Sequence, residues 1–310
     1  MSDTDTPIRE NLGSIFHPSD FSEASEIAFA HALRIALVVG ARLNLLHVAS
    51  SDGEADWRDF GGVRATLERW HLLPEGSSIS ELARLGIDVN KAVVRGDSPV
   101  EACLNFLATH PADLITLAVH QYEGRVRWLK DRVGEPIARG AGEMTLFIPH
   151  GVRGFVSRED GSLSLRNILI PIAHKPRAEP AVEAAELMVR GLGIEMGIFS
   201  LLHVGPAAQA PAVSSIGPTG WGLTRLARDG DPAEVIVRTA DSIGADLIVM
   251  TTEGPNGFLD ALRGSTSQRV LRRTPCPVMI VPAGQWLSRM RRFWVASKKE
   301  PAYTASDSRP

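Results

Sequence analysis

The residues of this chain best suited to chemistry lie between positions 247 and 267. An apolar run, Leu247-Ile248-Val249-Met250, leads into Thr251-Thr252-Glu253-Gly254-Pro255-Asn256-Gly257 and, six residues later, into Gly264-Ser265-Thr266-Ser267. Glycine lets a main chain approach a polyphosphate closely, and Gly264-Ser265-Thr266 opens a predicted helix whose unpaired N–H groups and hydroxyls suit an anion. The pattern therefore points to phosphate binding. It lacks the Gly-Lys-Ser/Thr of a P-loop, so charge neutralisation falls to backbone dipoles, hydroxyls, a bound cation or Arg263. A second reading of the same residues is structural: Ser265 and Gln268 form a capping box and the glycines make turns.

Elsewhere the candidate chemistry is sparser. His47 and His203 end two similar apolar runs, yet neither has a cysteine or carboxylate at ligand spacing, so they read as hydrogen-bonded strand-end histidines rather than a metal pair. Cys103 and Cys276 lie far apart and form no CxxC, which suits buried free thiols in a reducing compartment. No nucleophile stands beside a general base, and the HxGH and Ser-Gly-Gly-x-Asp signatures of adenylating enzymes are absent. No catalytic residue is expected.

The scaffold that must position these residues is a repeat. Ser14-Ile15-Phe16-His17-Pro18 corresponds to Ile168-Leu169-Ile170-Pro171, each followed by an Ala- and Glu-rich amphipathic stretch, residues 22–39 and 178–192. Leu43 to Val48 corresponds to Ile198 to Val204, both ending Leu-His-Val. Arg95-Gly96-Asp97-Ser98-Pro99 corresponds to Asp229-Gly230-Asp231-Pro232, where the Asp is expected to cap the next helix. Ala112-Asp113-Leu114-Ile115 matches Ala245-Asp246-Leu247-Ile248, and each half closes on an apolar run, Met144 to Pro149 and Pro277 to Pro282. Strands alternating with helices, the strands continuously apolar, predict an α/β chain of two doubly wound five-stranded parallel-sheet domains. The expected organisation is a first domain over 1–150, a β-hairpin linker over 151–166 turning at Asp160-Gly161, a second domain over 167–283 and a basic, aromatic tail over 284–310. Residues 56–85 read as a helix or helix pair, replaced in the second half by a flexible loop from Gly205 to Gly220. In the tail, Trp286, Met290, Phe293 and Trp294 share one helical face, predicted to pack on its own domain or, alternatively, to dock a partner or a membrane surface, and residues 300–310 are expected to be disordered.

Composition excludes several classes. The formal net charge of −3 lacks the basic footprint that nucleic acid demands. The acidic, polar start is no secretory signal, and no apolar run reaches the roughly 18 residues of a membrane span. A soluble, cytoplasmic protein without integral membrane contact is expected.

With these residues in view, both halves resemble the universal stress protein family, and the chain is similar to a tandem member; the resemblance covers residues 12–282. In family members that bind ATP, a glycine, two residues, a second glycine and nine residues precede Gly-Ser or Gly-Thr. Gly254 and Gly264-Ser265 match the last two elements with that nine-residue gap, while Thr251 stands where the first glycine would be. Val270 to Val281 is similar to the family's final helix and strand. The family's other nucleotide contact is an Asp after the first strand, which Asp20 matches in the first half; the second half has Ala173 there, flanked by His174. Loss of that hydrogen bond weakens the adenosine end by about 1 to 2 kcal/mol. In the first half Ala118-Val119-His120-Gln121 opens the corresponding loop and Asp131-Arg132 replaces Gly-Ser, so that site is expected to be empty or repurposed, with His17 and His120 flanking it in no catalytic role.

The resemblance thus implies a stress-response protein holding ATP or a related adenine nucleotide, with Mg, through Pro171, Ala173, Val204, Thr251, Gly254, Gly264, Ser265, Thr266 and Ser267. It further implies a nucleotide-responsive regulator with an unidentified protein partner, the final strands of the copies meeting across a pseudo-two-fold axis, and association into a dimer of chains as an option. The alternative is a nucleotide-independent interaction module of the same fold, and a slow ATPase is the weaker one.

Overall fold

The computed structural model describes residues 12–49, 62–119, 133–152, 154–213, 217–253 and 265–283. The first half runs β1 (Ser14–Ser19), α1 (Glu23–Val39), β2 (Arg42–Ala49), α2 (Val63–Arg69), α3 (Ile79–Arg84), β3 (Asp88–Arg95), α4 (Pro99–Thr109), β4 (Leu114–Val119), α5 (Gly134–Ala141) and β5 (Met144–Pro149). The second runs β6 (Asn167–Ile172), α6 (Glu179–Gly191), β7 (Gly197–Val204), β8 (Trp221–Arg228), α7 (Pro232–Ser242), β9 (Leu247–Thr252), α8 (Thr266–Leu271) and β10 (Val278–Pro282).

Local chemistry sets most boundaries. Ser22 caps α1 by accepting from the Ser25 amide, and Gly40, left-handed at φ 69°, ends it. Asp231 caps α7 as expected, accepting from the Glu234 amide at 3.1 Å. The matching residue Asp97 does not cap α4; Ser98 does, accepting from the Glu101 amide. Proline explains the difference, because its fixed φ suits the first helical turn and makes the residue before it the cap, Ser98 before Pro99 and Asp231 before Pro232.

All ten strands join one sheet in the order β3-β2-β1-β4-β5-β10-β9-β6-β7-β8. Pairing is parallel within each half and antiparallel where the halves meet, with Phe147 opposite Val278, Leu146 opposite Met279 and Thr145 opposite Ile280. The final strands therefore meet around a pseudo-two-fold axis at Leu146 and Met279. Two cores follow, one on each face. The first gathers Ile15, Leu33 and Leu43 with Ile170, Ala185 and Phe199; the second gathers Phe16, Phe106 and Ile137 with Ile236, Val270 and Ile280. Each core draws on both halves, so the apolar burial that stabilises one half is completed by the other.

The expectation of continuously buried strands holds for β5, β9 and β10, which are covered on both faces, and fails at the sheet edges, where β3 is half-exposed and β8 largely exposed. On β8 the cause is the missing counterpart of α2 and α3. The segment expected to be a flexible loop contains a 3-10 turn, Ala207–Gln209, buries Val213 and anchors the Gly217 amide on Glu186 Oε1 at 2.7 Å, yet leaves Leu223 42% exposed.

The linker forms a minimal hairpin with a single bridge, Val156 to Leu163, and it is docked rather than loose. Phe155, Val156 and Leu165 are buried. The His31 ring of α1 accepts the Phe155 and Val156 amides on Nε2, at 3.0 and 3.2 Å, and donates from Nδ1 to the Ile27 carbonyl at 2.8 Å. The Trp70 indole donates to the Arg158 carbonyl at 3.1 Å, and Arg158 pairs with Glu26. Gly161 lies at φ 69° against the Trp70 ring, which a Cβ would meet at 2.6 Å. Gly161→Ala is therefore expected to cost about 3 kcal/mol in urea unfolding, strain plus overlap, against about 1 kcal/mol for Gly76→Ala, where φ is 73° with open space around it. Equal costs for the two variants would show that Trp70 does not confine the turn.

Among the described residues no helix is long and apolar enough to cross a membrane. The tail expectations for residues 284–310 lie outside the described residues.

Candidate functional site

Strand order reverses between β6 and β9, and there the sheet parts. The two strands pair only through Ile168 with Leu247 and Leu169 with Ile248, whereas β9 continues beside β10 as far as Thr252 opposite Pro282. Beyond those two pairs the carboxyl ends diverge, which is where open α/β sheets hold ligands. The ends carry Pro171 and Ile172 on β6, then Ala173, and Thr251 and Thr252 on β9; Val204 ends the neighbouring β7. Ala173 is exposed, Pro171 and Val204 are half-buried, and Thr251 is buried. Ser265 caps α8, with Thr266 and Ser267 forming its first turn. Gly254 and Gly264 lie outside the described residues, as do Arg263, His120, Asp131 and Arg132.

Three hydroxyls define what this end of the sheet can do. Thr251 Oγ1 accepts the Ala181 amide at 3.1 Å, supplying from another strand the cap that α6 lacks at Ala178. Ser265 Oγ accepts the Gln268 amide at 3.3 Å. The capping-box reading is thus half realised, because the Gln268 side chain turns away and donates to Glu135 Oε2 of α5 at 3.1 Å. Thr252 Oγ1, buried at the strand end, has no hydrogen-bond partner among the described residues. Sequence reasoning missed Thr252, for which the doubled threonine after an apolar strand was the available signal. A buried hydroxyl without a partner costs about 1 to 3 kcal/mol, so a ligand oxygen there would be stabilising.

Electrostatics hold α8 in place. Arg269 forms a two-pronged pair with Asp231 at 2.7 and 2.8 Å, and that hydrogen bonding keeps the Asp231 carboxyl below its ordinary range. On the other flank, His174 Nε2 donates to the Gln209 carbonyl at 3.0 Å, tying the segment after β6 to the loop after β7.

The first half parts in the same way, β1 pairing with β4 only at Ile15 with Leu114 and Phe16 with Ile115. There His17, fully buried, crosses the gap: Nδ1 donates to the Thr116 carbonyl at 2.9 Å and Nε2 accepts from Ser25 Oγ at 3.4 Å, which in turn lies 3.1 Å from Ser19 Oγ. Burial lowers the His17 pKa to about 4, so the imidazole is a neutral brace. The matching residue Ile170 cannot make such a bridge. Asp20 accepts the Ser22 amide and hydroxyl, at 3.0 and 2.7 Å, and Phe21 stacks on His47 at 4.2 Å.

His47 and His203 behave alike, each with Nδ1 on the carbonyl ending the adjacent strand, Ser19 at 2.8 Å and Ile172 at 3.4 Å. They are hydrogen-bonded strand-end histidines. Among the described residues no three His, Cys, Asp or Glu side chains are grouped to hold a metal. Burial pushes both cysteine thiols up to about 12, which removes them as nucleophiles at neutral pH.

Compared with known proteins, the universal stress protein family model matches residues 13–149 and 217–282. A universal stress protein of Methanocaldococcus jannaschii is 45% identical over 53 residues, and one of Thermus aquaticus is 45% identical over 56 residues. These segments are 17% and 18% of this chain and span 31% and 41% of those relatives' lengths. A Synechocystis universal stress protein is 26% identical over 141 residues, 39% of this chain and 88% of that protein. Among solved structures, a universal stress protein of Archaeoglobus fulgidus has a TM-score of 0.57 at 21% identity, covering 87% of this chain and 98% of its own; that likeness is one of fold.

Proposed function

We propose, from the premise that this chain belongs to the universal stress protein family, that it is a cytoplasmic stress-response protein which binds ATP or a related adenine nucleotide in the second half. The observation that carries the reading is the buried Thr252 hydroxyl, without a hydrogen-bond partner among the described residues, at the parting of β6 and β9. Arg269, the basic residue of α8, is already paired with Asp231, so phosphate charge would rest on Ser265, Thr266, helix amides and accompanying Mg. Pro171 and Val204 would flank the base and ribose, and exposed Ala173, which brings no carboxylate, would make that end weak. The first half has its gap crossed by His17, which favours one site per chain. Nucleotide binding would then alter the surface offered to a protein partner. Among the described residues no acid or base is bonded to these hydroxyls, and binding rather than turnover is the activity we expect.

A nucleotide-independent interaction module has its own support, because the Thr251 and Ser265 hydroxyls already serve backbone amides. Calorimetric titration of ATP in magnesium buffer, after a test for co-purified nucleotide, separates the two. We expect one saturable site, weakened about 100-fold in Thr266→Asp, whose new carboxylate opposes phosphate while suiting the first turn of a helix. The variant should unfold in urea as the wild type does. A folded wild type that neither retains nor binds nucleotide would leave the interaction module as the function.

A further inference from the structure

Glu135 and Gln268 occupy equivalent places in the two halves. They are 133 residues apart, the same offset that separates Thr145 from Val278 and Phe147 from Ile280 in the antiparallel pairing of β5 and β10. The bond from Gln268 Nε2 to Glu135 Oε2 thus lies on the pseudo-two-fold axis, where identical halves would set a residue against itself. Two glutamates there would repel; a carboxylate facing an amide gives one acceptor and one donor. Gln268 is 8% exposed, so losing the Glu135 bond costs more than it would at the surface.

The contact joins two short helices of parallel standing. α8 begins with Ser265 and Thr266, and its Gln268 amide is bound by Ser265 Oγ, so the residue that crosses the axis also carries the cap of the candidate phosphate site. Asp231 holds α8 from its own half through Arg269, and Glu135 holds it from the other. We infer that Glu135 is a positioning residue for the second half's site: through Gln268 it fixes the first turn of α8, so the first half, whose own gap His17 crosses, sets the ligand affinity of the second. The affinity part rests on the function proposed above; the fixing of α8 does not.

The test uses the full chain as wild type, Glu135→Ala, Gln268→Glu and the exchanged pair Glu135→Gln with Gln268→Glu. Amide hydrogen exchange across residues 265–271 is followed without nucleotide, and ATP is titrated in parallel. Glu135→Ala is expected to speed exchange in α8 about fivefold and to weaken ATP about fivefold, leaving α7 exchange unchanged. Gln268→Glu, which opposes two carboxylates, should do more, and the exchanged pair should return both readings to within about twofold of wild type by re-forming the bond with its donor reversed. Unchanged α8 exchange in Glu135→Ala, acceleration spread equally over α7 and β9, or no recovery in the exchanged pair would each overturn the proposal. A wild type that binds no ATP removes the proposed function, and exchange alone then decides whether Glu135 positions α8.

Discussion

Replacing His31 with leucine is expected to destabilise the whole chain by about 4 kcal/mol, a large share of the roughly 5 to 15 kcal/mol that holds a domain folded. The ring accepts two buried amides, Phe155 and Val156, on one nitrogen, and leucine offers neither an acceptor. Each orphaned amide costs about 1 to 3 kcal/mol. The edge-on contact of the ring with Phe155, at 4.7 Å, is lost as well. Phe155 and Leu165 lie in the core that both halves share, so the loss should lower the urea midpoint of one transition rather than unfold the linker alone. His31→Gln, which keeps an acceptor, should recover part of the difference. A cost below about 1 kcal/mol for the leucine variant would mean that the linker is held by its apolar side chains alone.

The second large effect is acid destabilisation. Burial lowers the pKa values of His17 and His31 from 6.5 to about 4 in the folded chain. Between these values the unfolded chain binds more protons than the folded one, so stability falls as pH falls through the window from 6.5 to about 4. Geometry requires the same sign at His31: with Nδ1 donating to Ile27, a proton on Nε2 would point at two amide donors. Two shifts of this size amount to roughly 5 kcal/mol lost between pH 7 and pH 4. Asp160, held at about 2 by hydrogen bonds from Ser162 and Ser157, titrates in the folded chain below this window, and lowered carboxylates such as Glu81 add to the loss only near its acid end. Urea unfolding at pH 7, 5.5 and 4.5 measures the slope, and His31→Gln should remove about half of it. A flat profile in the wild type would mean that both rings stay protonated on folding.

Much of the site was legible because it follows from local rules. Apolar runs ending in Leu-His-Val had to be parallel strands, and a histidine at such an end finds the neighbouring strand's last carbonyl, as His47 and His203 do. Pro232 marked Asp231 as a cap; the same rule applied to Pro99 would have selected Ser98 over Asp97. The phosphate-like run after β9 could be placed at the reversal of strand order from the repeat alone. What the side chains there do could not be read in full, because two of them bond outside their own segment: Thr251 serves α6, and the Gln268 side chain reaches Glu135 in the other half.

The sequence by itself determined the doubled α/β plan, the position of the candidate site and the residues offered to it, since periodicity, turn chemistry and capping act over a few residues. The meeting of the two final strands was already implied by the family resemblance; only the tertiary structure decided that each core draws on both halves, that His17 crosses the first gap where the second has Ile170, and that the linker hangs on His31. Those outcomes depend on which distant groups are left with an unpaired amide or carbonyl once the chain is packed. Burial makes each such group costly until a partner is found, and a partner 99 residues away for His17, or 124 for His31, is a property of the packed chain rather than of any stretch of it.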